Sequence, residues 1–277
     1  MEEKVITKIV EPTENELMVN YHNDMADISL QALSAQELNV LMYILAVLKD
    51  KEEQGEGIVT RLVMPLSEIK KQAAIKTKDK KQIEQQILKV NSKLMGIQVT
   101  VKPDPNKPGT TTQFALFPTF KTSLEDDTLT VKLNSDFVYF VNFLTDNYTK
   151  FELAEFVSLK NKYSKLCYRQ LKRYRDTGMW IVSIEEFKRH MGISDLYAEN
   201  KELKRRVLKP VMNELAQYID GLEIEHIQDK TKRGRPIVAL KFTFTPDKRR
   251  GVKLSSEELE KRKQMENVIA EPIEDEW

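Results

Sequence analysis

The segment PLSEIKKQAAI, Pro65 to Ile75, aligns without gaps on SIEEFKRHMGI, Ser183 to Ile193. Leu66 and Ile69 match Ile184 and Phe187, and Lys70 and Lys71 match Lys188 and Arg189. Such internal similarity restricts the fold to one that a single copy of the plan can form, built twice. The flanks define the plan. Upstream of the first copy lies SAQELNVLMYILAVLKD, an amphipathic helix opened by Ser34 and Glu37 at capping-box spacing, where each side chain satisfies the other's backbone amide. Upstream of the second lies NKYSKLCYRQLKRYRD, and Ser183 with Glu186 repeats the capping pair at the start of the shared segment.

Downstream, each copy continues into a further helix, KDKKQIEQQILKVNSKLM in one and NKELKRRVLKPVMNELAQY in the other. A strand follows, GIQVTV or GLEIEHI, then a turn rich in Pro, Gly and Lys, KPDPNKPGTT or QDKTKRGRP, and a returning strand, TQFALF or IVALKFTFT. In the last of these, Val238, Leu240, Phe242 and Phe244 alternate with Ile237, Ala239, Lys241 and Thr243, the period of a strand buried on one face. Helix, short strand, helix, helix and hairpin, in that order, make a winged helix: a helix-turn-helix whose third helix is backed by a β-hairpin. Amphipathic helices resemble one another by chance, but two glycine-containing hairpins at equivalent places favour duplication.

The expected fold is therefore α+β, two tandem winged-helix domains related by internal duplication. The expected parts are an N-terminal segment over 1–25, a first winged-helix domain over 26–148, a second over 149–246 and a charged C-terminal tail over 247–277. Between the copies, LEDDTLTVKLNSDFVYFVNFLTDNYTKFELAEF reads as a strand, a short helix after Asn134 and a linker helix.

The net charge of +1 conceals a division. Residues 1–150 carry 18 Lys plus Arg against 21 Asp plus Glu, residues 151–245 carry 19 against 13, and residues 246–277 carry 7 against 9. The middle segment is the basic part, and clustered cations are the footprint of a polyanion-binding surface. They are densest in NKELKRRVLKPVMNEL, Asn200 to Leu215. Leu203, Val207, Val211 and Leu215 recur at the four-residue step of a helix with one buried face. Lys201, Arg205 and Lys209 keep that step two residues away, about 200° round the axis, with Lys204 beside them and Arg206 near the border.

A helix of this kind fits the major groove of duplex DNA. Arg presents a bidentate fork to guanine, whereas Lys acts as a point charge on phosphate. Arg205, with Arg206 behind it, is therefore the expected base reader, and Lys201, Lys204 and Lys209 the phosphate contacts. Pro210 removes a backbone donor and crowds the Arg206 carbonyl, so a bend is expected there. The turn QDKTKRGRP adds Lys230, Lys232, Arg233 and Arg235 for phosphate or the adjacent minor groove, and Gly234 lets its tip turn tightly. Lys165, Arg169, Lys172 and Arg173, on the second copy's first helix, are further candidates for the DNA backbone. Tyr163, Tyr168 and Tyr174 on that helix read as core or rim. A charged stripe alone is most often a solvated face; the basic helix and basic turn together favour DNA. The first copy's third helix has only Lys80, Lys81, Lys89 and Lys93 among glutamines, which suits a weak DNA contact or a dimer interface.

No catalytic constellation emerges, and neither an enzyme nor a metal or organic cofactor is expected. Cys167 is the only cysteine, which rules out a disulfide framework, and it sits on an apolar helix face where packing is the usual role. His22, His190 and His226 are scattered, no phosphate-cradling Gly-x-x-x-x-Gly-Lys-Ser/Thr loop occurs, and Glu125, Asp126 and Asp127 read as an acidic turn. No apolar run reaches membrane-span length, and the acidic start is unlike a signal peptide, so a cytoplasmic protein with no membrane partner is expected.

YHNDMADISLQALSAQELNVLMYIL, FELAEFVSLKNKYSKLCYRQLKRYRDTG, ELKRRVLKPVMNEL and KFTFTP together resemble iteron-binding plasmid replication initiators of the paired winged-helix type, especially those of Gram-positive bacteria. The resemblance spans roughly residues 20–246 and is most specific in the second module. It implies monomers that bind directly repeated sequences in double-stranded origin DNA, with both modules on one face of the duplex. It also implies opening of a neighbouring A·T-rich segment and recruitment of the host replicative helicase or other replication proteins. Homodimers, joined through the first module, would repress their own gene at an inverted repeat. On this chain the groove helix would be Glu199 to Tyr218 and the wing Gln228 to Pro236, in a protein associated with plasmid or nucleoid. A dedicated winged-helix repressor would use the same surface, and only the resemblance separates the two. The tail lies outside the shared pattern and reads as solvated.

Overall fold

The structure, a computed structural model, describes residues 17–53, 59–101, 111–134, 137, 148–193, 200–229, 231 and 236–247. The chain forms two compact units, Met1–Arg169 and Gln170–Trp277. Both modules are winged helices with the expected order of elements.

In the first unit, α1 (Ala35–Glu53) starts at the capping pair: Ser34 N donates to Glu37 Oε2 at 2.7 Å, and Glu37 N donates to Ser34 Oγ at 3.3 Å. Its sequence was expected to bury one face. Instead every residue from Val40 to Leu48 is buried, because a helix this apolar must be enclosed on all sides. It packs against β1 (Met18–His22), α2 (Leu66–Gln72), α3 (Lys80–Met95) and α4 (Leu153–Ser158). Between α1 and α2 runs β2 (Arg61–Pro65), the expected short strand. The expected hairpin is β3 (Gln98–Val101) against β4 (Thr112–Ala115), with Gln98 opposite Ala115. Its turn lies outside the described residues.

A second hairpin departs from the single strand expected after the first copy. β5 (Thr119–Ser123) and β6 (Thr128–Lys132) pair with each other, and β6 pairs with β2, giving the order β2-β6-β5. The tight turn joining them is the acidic stretch Glu125–Asp127, where Ser123 Oγ donates to Asp126 Oδ2 at 2.7 Å and Asp127 adopts φ 49°. Leu129 and Val131 face the core while Thr128, Thr130 and Lys132 alternate outward, as a half-buried strand requires. β7 (Tyr148–Glu152) then returns to pair antiparallel with β1, Met18 opposite Glu152, and leads into α4. The short helix expected after Asn134 falls almost wholly outside the described residues.

The division between units lies within α5 (Lys162–Arg173). In the second unit, β8 (Met179–Ser183) leads into α6 (Ile184–Met191), whose first turn is capped by Ser183 Oγ accepting from Glu186 N at 3.1 Å. Gly192, at φ 68°, closes that helix in the left-handed conformation that glycine adopts without strain. β9 (Glu223–Gln228) and β10 (Ile237–Thr243) form the hairpin, and here β10 also pairs with β8, in the order β8-β10-β9. Leu240 and Phe242 on β10 are buried as the alternation predicted. Phe242 stacks on Trp180 at 5.1 Å and on Phe187 at 6.1 Å, an aromatic layer joining sheet to helix. Gly178, at φ 65°, feeds β8 where a Cβ would stand 2.5 Å from the Phe244 carbonyl, so no other residue fits.

Candidate nucleic-acid interface

The third helix of the second module is built from α7 (Asn200–Leu203), a π turn (Lys204–Leu208) and α8 (Lys209–Leu215). Pro210 has no amide to donate, and its ring crowds the Arg206 carbonyl one turn back. The bend expected there takes the form of this wider turn, in which Lys209 N donates to Lys204 O, five residues earlier. One consequence escaped the sequence pattern. Leu208 is turned inward and buried alongside Leu203, Val207, Val211 and Leu215, so five apolar side chains seat the helix. The same widening leaves Lys204, Arg205 and Arg206 exposed in succession, flanked by exposed Lys201 and Lys209. All five helix cations named from the sequence share the solvent side.

Glu202 is the residue that sequence reasoning missed. Arg205 Nε donates to its Oε1 at 3.2 Å and Arg205 Nη2 to its Oε2 at 3.0 Å, while Arg206 Nε donates to that same Oε2. Hydrogen bonds from Arg205 and then Arg206 lower the Glu202 carboxyl to a pKa of about 2, so it stays ionised through any working pH. The signal was present in NKELKRR, where a carboxylate precedes two arginines by three and four residues on one helix.

His226 on β9 has its pKa lowered, first by burial and then by the charge of Lys204. The base of the wing is closed by Asp229 N donating to Pro236 O at 2.9 Å, and Asp229 Oδ1 accepts from Thr231 N at 3.0 Å. Lys230, Lys232, Arg233 and Arg235, the wing cations, lie outside the described residues.

Two residues expected at the interface belong to the interior. Lys165 is fully buried, its Nζ donating to the carbonyls of Phe156 and Val157 and lying 4.5 Å from the Phe156 ring centroid. Arg169 is 2% exposed; its Nε donates to Tyr21 Oη at 3.1 Å and its Nη2 to Met25 O at 2.9 Å. The helix is buried from Ser164 through Leu171, so these charges are solvated by backbone carbonyls and aromatic faces instead of water. A phosphate cannot reach them. Lys172 and Arg173 are half-buried, and Tyr168 lies in the core with its hydroxyl donating to Glu155. Cys167 is buried too, and burial pushes its thiol pKa up, which suits packing rather than nucleophilic attack.

The first module's third helix offers less. On α3, Lys93 is held by Glu37 Oε2 and by Ala32 O, each at 3.3 Å, which leaves exposed Lys80, Lys81 and Lys89 beside exposed Leu88 and Met95. Among the described residues, no group of three or more His, Cys, Asp or Glu could hold a metal, and no helix is long and apolar enough to cross a membrane.

The comparisons bear on both modules. The family described as "Initiator Replication protein, WH1" matches residues 18–172, and that described as "Initiator Rep protein, WH2" matches residues 183–244. The "Probable replication protein rep" of Bifidobacterium longum (strain NCC 2705) is 34% identical over 228 residues, spanning 82% of this chain and 72% of that protein. The Pi initiator protein, crystallised in complex with iteron DNA, superposes with a TM-score of 0.62 at 17% identity, over 84% of this chain and 98% of that one. That last likeness is one of fold.

Proposed function

The chain belongs to the Initiator Replication protein family, with both winged-helix modules present, and from that premise we propose that it is a plasmid replication initiator that binds repeated origin DNA. The observation that carries the reading is the exposed row Lys201, Lys204, Arg205, Arg206 and Lys209 on a helix seated by five buried apolar residues. Arg205 and Arg206 read base edges in the major groove, and the three lysines hold phosphates. Lys230, Lys232, Arg233 and Arg235 extend the contact from the wing, and the half-buried Lys172 and Arg173 stay in the proposed set. Lys165 and Arg169 are withdrawn from this set.

The rest of the proposal rests on family membership. Monomers occupy the direct repeats, an adjacent A·T-rich segment opens, and the host replicative helicase or other replication proteins are recruited. A homodimer represses the gene at an inverted repeat. The first module is proposed to serve dimerisation and secondary DNA contacts, and the second main DNA binding.

The test uses duplexes copied from repeats beside the gene. The full chain should bind a direct repeat specifically, and Arg205→Glu should abolish that binding while leaving the helical circular-dichroism spectrum intact. Retained specific binding by Arg205→Glu would remove that residue from the interface. A plasmid carrying the full set of repeats should be sustained by this gene alone; failure to sustain it, with binding intact, identifies a dedicated repressor.

A further inference from the structure

The three-stranded sheet of the first module has one face in the core, through Leu62, Met64, Leu129 and Val131. Its other face lines an open concavity of about 310 Å³ formed by Arg61, Val63, Thr119, Lys121, Thr130 and Lys132. The register makes two rows across the strands. Arg61 stands opposite Lys132, which stands opposite Thr119; Val63 stands opposite Thr130, which stands opposite Lys121. All three cations are exposed, and none makes an ion pair among the described residues. The acidic turn Glu125–Asp127 joins β5 to β6 at the other end of the hairpin from Thr119 and Lys132.

This arrangement runs against the composition around it. Residues 1–150 are net acidic, yet the lining of this face contains no carboxylate. Like charges placed directly across a strand pair, as Arg61 and Lys132 are, destabilise a sheet. A bound anion removes that penalty. Threonine hydroxyls between the cations supply further donors to phosphate oxygens. The concavity is open, which suits a chain passing across it, and none of its six lining residues is aromatic, so the base stacking that usually accompanies single-strand recognition is missing.

We propose that the outer face of the β2-β6-β5 sheet, through Arg61, Lys121 and Lys132, is a second, sequence-independent binding surface for the phosphodiester backbone of duplex DNA. It rests on the DNA-binding reading above and adds a contact distinct from the groove helices of either module. Its contribution is electrostatic, so it should appear chiefly in the salt dependence of binding.

The experiment compares the full wild-type chain with a variant combining Arg61→Ala, Lys121→Ala and Lys132→Ala. Fluorescence anisotropy follows binding across a salt series to three probes: a duplex of one repeat, the same repeat extended by unrelated duplex on both sides, and a single strand of the extended length. The variant should lose affinity for the extended duplex, with the slope of log affinity against log salt smaller by about two to three. The single strand serves as the contrast, because a lining without aromatic side chains offers its bases nothing to stack on. Arg61→Lys, Lys121→Arg and Lys132→Arg together should restore the slope, separating lost charge from lost folding. Unchanged affinity and slope on all three probes would overturn the proposal, as would a loss confined to the single strand. If the wild-type chain bound no repeat duplex, the DNA-binding reading itself would fall instead.

Discussion

Arg205 and Glu202 face each other as fork and carboxylate, with Nε 3.2 Å from one carboxylate oxygen and Nη2 3.0 Å from the other. The guanidinium edge proposed to read a base is therefore already engaged in the free protein. Because the pair is exposed, the engagement is weak and a well-placed guanine can displace it. A stray phosphate also has to approach past the Glu202 charge. On the proposed reading, the carboxylate thus competes with any phosphate for the arginine fork.

Glu202→Gln should tighten binding to unrelated duplex by more than it tightens binding to the repeat, lowering the ratio between them. Parallel anisotropy titrations measure both affinities. A ratio equal to wild type, or larger, would leave Glu202 without this role.

Arg169→Met should destabilise the protein by about 2 to 3 kcal/mol, because Tyr21 Oη and the Met25 carbonyl lose their buried donor. Urea unfolding reads the loss. Repeat binding by the folded fraction should match wild type, since the side chain cannot reach DNA; weakened binding without destabilisation would restore Arg169 to the interface.

Pro210→Ala returns an amide that can donate to the Arg206 carbonyl, so the π turn should relax toward an ordinary α-helix. Leu208 then leaves its buried position and the exposed cations shift round the axis. Specific binding should weaken while binding to unrelated duplex holds. Equal affinities, with amide 210 newly protected from hydrogen exchange, would separate the kink from recognition.

His226 sets a pH dependence of known sign. Burial first, and Lys204 second, lower its folded pKa, so the unfolded chain takes up the proton earlier as pH falls. The stabilising preference for the neutral ring is complete above the ordinary imidazole value, about 6.5, and is lost progressively below it. Denaturant titrations between pH 7 and pH 5 should show a shallower decline for His226→Gln than for wild type. Identical slopes would mean that His226 titrates alike folded and unfolded.

What could be read from the sequence was local. The capping pair Ser34 with Glu37, the serine cap at Ser183, the buried step from Leu203 to Leu215 and the burial of Leu240 and Phe242 each depend on neighbours within a few residues and formed as read, whereas Glu186 turns its carboxylate to Arg189 and Val238 and Phe244 stay half-buried. What escaped depends on distant partners. Nothing near Met18 announces that β1 pairs with residues 148–152, and one run of alternating residues could not reveal that β6 sits between β2 and β5. Lys165 and Arg169 were placed outside because charge usually means exposure. Their burial depends on the Phe156, Val157 and Met25 carbonyls and the Tyr21 hydroxyl, partners that only folding brings into reach. In the helix Asn200–Leu215 the cations were found by period, but the inward turn of Leu208 required the wider winding at Pro210.

That wider winding also separates two tasks usually coupled in a helix. In a uniform spiral, altering the compass bearing of the leading side chains swings the trailing ones off their footing. Here the five-residue coil between Lys204 and Leu208 sets the bearing of the leading cations apart from that of Val211 and Leu215, while Leu203 and Val207 still pin the front to the core. On the proposed reading, exchanges among Lys201, Lys204, Arg205 and Arg206 change the face offered to DNA while the five buried anchors stay as they are.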